Sequence, residues 1–184
     1  SVANYELALR GVTYVNTSDS PSTAARTVSF VADDGTTPSA AALRTVAVVA
    51  VNDAPTLSSS TLLNGILEDD VASAGTLVSA IVAAGVTDPD AGALSGIAVV
   101  AVDNSMGTWQ YTLDGSTWLA IGNASPTAAR LLPSDATTAV RFVPNPDFNG
   151  VVSPFGYQAW DQTQGVAGGL GDASGNGRVP RRVR

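Results

Sequence analysis

The side chains able to do chemistry in this sequence are almost all carboxylates, together with one kind of cation. Of its 16 acidic residues 14 are Asp and two are Glu, and all nine basic residues are Arg. The absence of His, Cys and Lys removes imidazole bases, thiol nucleophiles, thiolate metal sites and disulfides. The adjacent Asp69 and Asp70 would face opposite sides of a strand, so they do not make an acid–base pair. We therefore expect that the protein is not an enzyme.

The excess of Asp has two explanations that the sequence leaves open. Asp is a common turn residue, and its carboxylate is also a preferred ligand of Ca²⁺ and other hard cations. The formal net charge is −7, yet residues 1–177 carry five Arg against 16 acids, a net charge of −11. Such a body repels nucleic acid and anionic membranes. No apolar run is long enough for membrane insertion.

Short stretches of alternating or β-branched residues, separated by turn residues, dominate the sequence. Many short strands with such turns favour an all-β fold, specifically an antiparallel β-sandwich. Asp114-Gly115 predicts a hairpin between two of the strands, whereas Tyr5–Arg10 fits a helical turn and a strand equally well. The predicted strands are Val28–Ala32, Thr45–Val51, Leu77–Val82, Ile97–Val102, Thr108–Leu113, Ala139–Val143 and Phe155–Trp160.

An internal repeat indicates how the chain is organised. Tyr14 aligns with Phe142, and the segment Phe30–Asp34 aligns with Tyr157–Asp161. The two alignments differ by one position, so the repeat unit is about 127 residues long. The run Val51–Pro55 (VNDAP) lies at the junction between the units.

The repeat predicts two domains. Residues 1–54 are the C-terminal part of a first repeat that lacks its opening strands, and residues 55–184 are a second repeat. From about residue 165 the second repeat becomes Gly- and Arg-rich and coil-like, so we expect it to lack its last strand. Both absences predict unpaired sheet edges.

Strand direction predicts that several polar side chains meet at one end of the second repeat. The chain runs from the junction to the far end near Glu68, and it then returns to the loop Asp88–Gly92. The loop after Phe155–Trp160 ends at the same place. Several carboxylates so close together would need a cation, and Ca²⁺ takes six to eight oxygen ligands at about 2.3–2.6 Å. The alternative is a set of solvated loop acids. The predicted ligands are Asn52, Asp53, Asp88, Asp90 and Asp161.

These residues also belong to segments that resemble a known family. The resemblance comprises a cadherin-type linker, a glutamate, a Gly-Thr strand start, an Asp-x-Asp loop and a late Ala-x-Asp, all in the family's order. The sequence is similar to the cadherin-like tandem repeats of large, calcium-dependent bacterial surface adhesins of the RTX type. The segments concerned are Val51–Pro55, Glu68, Gly75–Val78, Asp88–Asp90, Gly107–Tyr111, Arg141–Gly150 and Ala159–Asp161.

The resemblance implies a Greek-key β-sandwich of cadherin or immunoglobulin type, on the cell surface or otherwise extracellular, within a long adhesive chain. It implies that Ca²⁺ at each linker stiffens the chain, with the five residues above as ligands. Glu68 would be a ligand facing the following linker, and Asp34 would face the preceding one. The partners would be neighbouring repeats of the same chain and a cell-surface protein or glycan.

A carbohydrate- or protein-binding module is the alternative function. Trp109, Tyr111 and Trp118 flank the predicted hairpin, and an exposed aromatic face there would stack on sugar rings. Period two places Trp109 and Tyr111 on one face of the sheet, and packing in a core explains that pattern as well.

Overall fold

The computed structural model describes residues 2–59, 63, 65–83, 85–152 and 155–174. The chain divides into two compact units, Ser1–Val51 and Asn52–Arg184. The division falls within the VNDAP junction, before Asn52 rather than after Ala54. The last ten residues, which include four Arg of the predicted coil, lie outside the described residues.

Unit 1 consists of a helix and a hairpin. Helix α1 is Val2–Arg10, so the ambiguous segment of the sequence is helical. Strands β1 (Arg26–Phe30) and β2 (Ala42–Val46) pair antiparallel, with Arg26 opposite Val46. The predicted strand Thr45–Val51 is wrong beyond Val46, because β1 begins at Arg26 and offers no partner to the residues that follow. None of the side chains described in unit 1 is buried.

Unit 2 is built from ten strands and one short helix within the described residues. The strands, numbered on in chain order, are β3 (Thr56–Leu57), β4 (Thr76–Leu77), β5 (Val86–Thr87), β6 (Gly96–Ala101), β7 (Gly107–Thr112), β8 (Leu119–Ala120), β9 (Ala129–Pro133), β10 (Ala139–Pro144), β11 (Gly156–Trp160) and β12 (Leu170–Gly171). One four-stranded sheet has the order β4-β10-β7-β8, another has the order β11-β6-β9-β12, and β3 pairs with β5. All of these pairings are antiparallel.

The expectation of a mostly β protein with antiparallel sheets is confirmed. Five predicted strands correspond to β1, β6, β7, β10 and β11 within two residues at each end. The hairpin at Asp114-Gly115 is also present, since β7 pairs with β8 through Tyr111 and Leu119. Gly115 has φ 76°, a left-handed conformation that glycine adopts without steric cost. Strand β9 was not predicted.

The predicted strand Leu77–Val82 is wrong, because most of it forms the helix α2 (Val78–Val82). Only Leu77 keeps a strand conformation, at the end of β4. The helix places Val78, Ile81 and Val82 on one buried face, at the i, i+3 and i+4 spacing of an amphipathic helix. A short apolar run fits a buried strand and a buried helix equally well in sequence, so contacts with the sheets decide its form.

One apolar core joins the two four-stranded sheets. Ile97 and Val99 of β6 and Leu132 of β9 come from one sheet, and Trp109 and Phe142 come from the other. The Trp109 ring packs at 5.2 Å from the Phe142 ring, measured between centroids. Side chains of the first sheet that point the other way, together with Ala173 after β12, form a second, smaller cluster. Its buried members are Ala98, Ala129, Leu131, Trp160 and Ala173.

The segment after β11 does not fold back beside it. The chain turns at Gly165 and Gly168 and forms β12, which pairs with β9 on the other side of the sheet. A coil from about residue 165 is therefore wrong for Leu170–Gly171. In the part of the chain that the structure describes, β11 has a ladder partner on one side alone, namely β6.

Leu132→Ala tests this core, since Leu132 is fully buried between the sheets. Removing its side chain should lower the free energy of unfolding of unit 2 by about 2–5 kcal/mol. Urea unfolding followed by Trp fluorescence measures the change, because all three Trp belong to unit 2. Leu94→Ala is the matched control: Leu94 is 64% exposed, so its truncation should change stability by less than about 0.5 kcal/mol. Equal losses of unfolding free energy in the two variants would contradict the placement of Leu132 in the core.

Candidate functional site

Five polar residues that strand direction predicts to meet do lie together at one end of unit 2. The Asn52 side-chain amide donates to Asp161 Oδ2 at 2.7 Å, and the Asp53 backbone N–H donates to Asp90 Oδ2 at 2.7 Å. The Asp90 backbone N–H in turn donates to Asp88 Oδ1 at 2.8 Å. We call this set, Asn52, Asp53, Asp88, Asp90 and Asp161, the junction pole.

The antiparallel pairing of β6 and β11 positions this pole. Gly96 at the start of β6 lies opposite Trp160 at the end of β11. The loop that leads into β6 and the turn that follows β11 must therefore share one end of the sheet. The Gln162 side chain ties them, because its amide donates to the Ser95 carbonyl at 2.6 Å.

Asp161 is the most enclosed acid of the junction pole, with 5% of its surface exposed. Its Oδ1 accepts hydrogen bonds from the Thr163 backbone N–H and hydroxyl, at 3.0 and 2.8 Å. Burial raises the pKa of Asp161, but the hydrogen bonds from Asn52 and Thr163 outweigh burial, so the pKa lies below its ordinary value of 3.8. The carboxylate is therefore held in its charged form.

Asp88 contributes an oxygen that the described residues leave unsatisfied. Its Oδ1 accepts the bond from Asp90, whereas its Oδ2 is buried without a hydrogen-bond partner. A buried carboxylate oxygen without a donor is costly, because it has lost its hydration and gained nothing in return. A cation would satisfy that oxygen.

The junction pole does not form a closed cage of carboxylates. Among the described residues, one group alone brings three carboxylate oxygens all within 4.8 Å of one another, and it consists of Glu68, Asp69 and Asp147. We call it the far acidic group. Its three residues are exposed.

The far acidic group lies at the end of unit 2 opposite the junction pole. Asp147 follows β10, and its backbone N–H donates to Asp69 Oδ1 at 3.1 Å. The same loop bonds the turn between β6 and β7, since the Asn145 N–H donates to the Met106 carbonyl at 2.9 Å. Glu68 therefore does not join the other predicted ligands. It lies at the far end, where the strand count predicts it.

Sequence reasoning named Glu68 but missed its two neighbours as ligand candidates. Asp69 and Asp147 have φ values of 61° and 58°, a left-handed conformation that Asp adopts more readily than most residues. Neither of these φ values can be predicted from the neighbouring residue types or their spacing. The internal repeat offered one signal, since Asp147 lies opposite Asp19 in the alignment.

Asp34 of unit 1 is engaged in a turn. Its Oδ1 accepts from the backbone N–H groups of Thr36 and Thr37, at 3.0 and 3.2 Å. The bond from Thr36, reinforced by that from Thr37, lowers the pKa of Asp34. The structure thus gives this residue a local hydrogen-bonding role.

Trp109 and Tyr111 do not form an exposed aromatic face. They are 4% and 5% exposed and belong to the core between the sheets. Trp118 is half-buried, and the Arg141 guanidinium lies over its ring at 4.1 Å from the centroid. Core packing therefore explains the first two residues, and a cation–π contact engages the third.

Comparisons with known proteins do not assign this chain to a family. No family model, curated protein or solved structure matches the chain significantly. Within the described residues, neither helix has the length and apolarity needed to cross a membrane.

Asp161→Asn tests the hydrogen bonds of the junction pole. At neutral pH the variant should lose about 1–3 kcal/mol of unfolding free energy, because its amide replaces a charged acceptor. The pKa of Asp161 is lowered by folding, so its stabilisation is present above the unfolded-state pKa of about 3.9 and is lost as the pH falls through the lower folded-state pKa. Urea unfolding across this range should show the two proteins converging in acid.

Asp147→Asn is the control for the same charge change at an exposed carboxylate. It should leave the stability at neutral pH within about 0.5 kcal/mol of the parent protein. A deficit in Asp161→Asn that stays constant down to the lowest pH would contradict the role assigned to the ionised carboxylate.

Proposed function

We propose that this chain is a structural and adhesive segment of a long extracellular surface protein, stiffened by Ca²⁺ between repeats. Unit 2 is the cadherin-like Greek-key β-sandwich repeat in this proposal, and unit 1 is the incomplete repeat before it. Neighbouring repeats of the same chain are the first partners, and a cell-surface protein or glycan is the adhesive one. The resemblance to calcium-dependent bacterial adhesins supports the proposal, as do the two poles of unit 2.

The single observation that carries the proposal is the bonding of the junction residues. Asn52 and Asp53 are the first two residues of unit 2, and both bond to carboxylates of loops distant in sequence. The link between the units thus ends in a cluster of acids. Anything that binds this cluster also fixes the first residues after unit 1.

The donors of the junction pole fit a Ca²⁺ ion. Carboxylate and amide oxygens are the ligands that Ca²⁺ prefers, and the buried, unpartnered Asp88 Oδ2 supplies an oxygen ready for a cation. Asp88, Asp90 and Asp161 would hold the ion, with Asp53 and the Asn52 side-chain carbonyl completing the set from the junction. The ion would supply positive charge that cancels repulsion among these carboxylates.

The far acidic group supplies candidate cation ligands at the second end of unit 2. A chain of end-to-end repeats needs cation ligands at both ends of each repeat, and Glu68, Asp69 and Asp147 supply three carboxylates at the second end. Three exposed acids are common without an ion, so this group supports the proposal less strongly than the junction pole does.

Thermal unfolding with and without Ca²⁺ tests the proposal. An ion that binds the folded state alone stabilises it by about 2.7 kcal/mol when its free concentration is about 100 times the dissociation constant. Millimolar Ca²⁺ should therefore raise the Tm of the full chain by several degrees, and Mg²⁺ should raise it less, because Mg²⁺ needs a smaller, more regular ligand shell. An unchanged Tm in Ca²⁺ would contradict the proposal.

Two variants, Asp88→Asn and Asp147→Asn, show which end of unit 2 binds the Ca²⁺ that raises the Tm. Asp88→Asn should abolish most of the Ca²⁺-dependent rise in Tm, and it should leave stability in chelator unchanged or higher, because an orphaned charge has been removed. Asp19→Asn is the matched control: it makes the same charge change on exposed unit 1 and should keep the full response. Retention of the rise in Asp88→Asn and its loss in Asp147→Asn would assign Ca²⁺ to the far acidic group instead.

A further inference from the structure

The loop after β10 carries an Asn-Gly pair, a sequence in which the asparagine side chain reacts readily with the backbone. Asn149 and Gly150 are both exposed. The chain holds three Asn-Gly pairs, and this is the one of them with both residues in the described part of the structure. Glycine has no Cβ to hinder the approach of its nitrogen to the side chain before it. The pair is therefore a candidate for chemical modification without an enzyme.

The backbone nitrogen of Gly150 is available for that reaction. Before the pair, the Phe148 N–H donates to the Asn145 carbonyl at 3.2 Å. None of the hydrogen bonds among the described residues involves residues 149–151, and Val151 is 95% exposed. A segment with neither backbone hydrogen bonds nor buried contacts changes conformation at little cost in free energy. The Gly150 nitrogen can therefore reach the side chain of Asn149.

Two Asp-Gly pairs, which can close the same kind of ring, are held differently. The Gly35 N–H donates to Asp33 Oδ1 at 2.7 Å, and the Gly115 N–H donates to Thr112 Oγ1 at 3.0 Å. A turn thus occupies each of these two nitrogens. The structure therefore separates Asn149-Gly150 from the other dipeptides of similar chemistry that it describes.

Other asparagines are protected by their neighbours. Asn145 lies in the same loop, but Pro146 follows it, and a proline nitrogen carries no hydrogen and cannot attack. Asn104 is engaged by the backbone, since its Oδ1 accepts from the Trp109 N–H at 2.9 Å. Asn145 therefore provides an internal control within the loop itself.

We propose that Asn149 is a site of spontaneous deamidation. The Gly150 nitrogen attacks Cγ of Asn149, the new N–Cγ bond closes a cyclic imide, and Nδ2 leaves as ammonia together with the proton of the Gly150 N–H. Water then opens the imide at either carbonyl, which yields a carboxylate and restores the N–H. Asparagine and water thus become aspartate or isoaspartate and ammonia. The proposal goes beyond the calcium-dependent function and does not depend on it.

The reaction changes the charge of one end of unit 2. Asp147, a member of the far acidic group, lies two residues before Asn149. The product carboxylate therefore adds a negative charge to a loop that already carries one. Since Asn149 is exposed and makes no hydrogen bond to the described residues, the change has little effect on stability. Unit 2 thus gains negative charge with age and stays folded.

Peptide mapping of the folded, full chain over time tests the proposal. A protease that cleaves before Asp releases residues 147–160, in which Asn149 is the one asparagine, and residues 135–146, in which Asn145 is. The first peptide should gain the mass of NH replaced by O, and an aspartate product should add a cleavage before position 149. The second peptide should stay unchanged. The rate should rise with pH, because the backbone nitrogen attacks after losing its proton.

Gly150→Ala tests the nucleophile. The variant should slow deamidation of Asn149 by about tenfold, because a Cβ hinders the approach of the nitrogen. The new methyl group meets the Phe148 ring at 3.3 Å and nothing closer, so the Tm should stay that of the parent protein. Gly65→Ala is the matched control, since it makes the same change after another asparagine, at a position with open space. It should leave the rate at Asn149 unchanged.

The same measurement in guanidinium chloride gives the rate of the unfolded chain. The folded chain should deamidate at Asn149 within about tenfold of that rate, because its loop opens at little cost. A folded chain that reacts more slowly than this would show that the fold shields the pair, and the proposal would be wrong. Equal rates in Gly150→Ala and the parent protein, or modification of Asn145 as fast as that of Asn149, would also overturn it.

Discussion

The antiparallel pairing of β6 with β11 on one side and β9 on the other is the constraint on which unit 2 depends. Gly96 begins β6 opposite both Trp160 and Pro133. A Cβ at this glycine would collide with the Leu132 carbonyl and the Trp160 ring, so a side chain there would force the strands apart. Because β6 leaves this end and β11 returns to it, the loops on either side of the pair share one pole. The acids of the junction pole meet for this reason, although they are distant in sequence.

The structure uses Asp in two ways that the sequence could not separate. Asp114, Asp135 and Asp172 each accept a hydrogen bond from the backbone N–H two residues later, which closes a turn. Asp90 instead accepts from the Asp53 N–H, and Asp161 accepts from the Asn52 side chain in addition to the Thr163 N–H two residues later. The same carboxylate oxygens serve both purposes, so composition alone leaves turn formation and cation binding equally open. Strand direction predicts which of these acids meet, because it predicts which loops share an end of the sheet.

The part of the fold that follows from local pattern was predictable, and the part that depends on tertiary contact was not. β6, β7, β10 and β11 carry alternating or β-branched residues, and their pairing follows from turns such as Asp114-Gly115. The segment of helix α2 was predicted to be a strand, because five residues are too few for the spacing of apolar residues to distinguish a helix from a strand. The junction pole could be predicted, since it needs no more than strand direction. The pairing of Asp69 with Asp147 required backbone conformations with positive φ, which no spacing reveals.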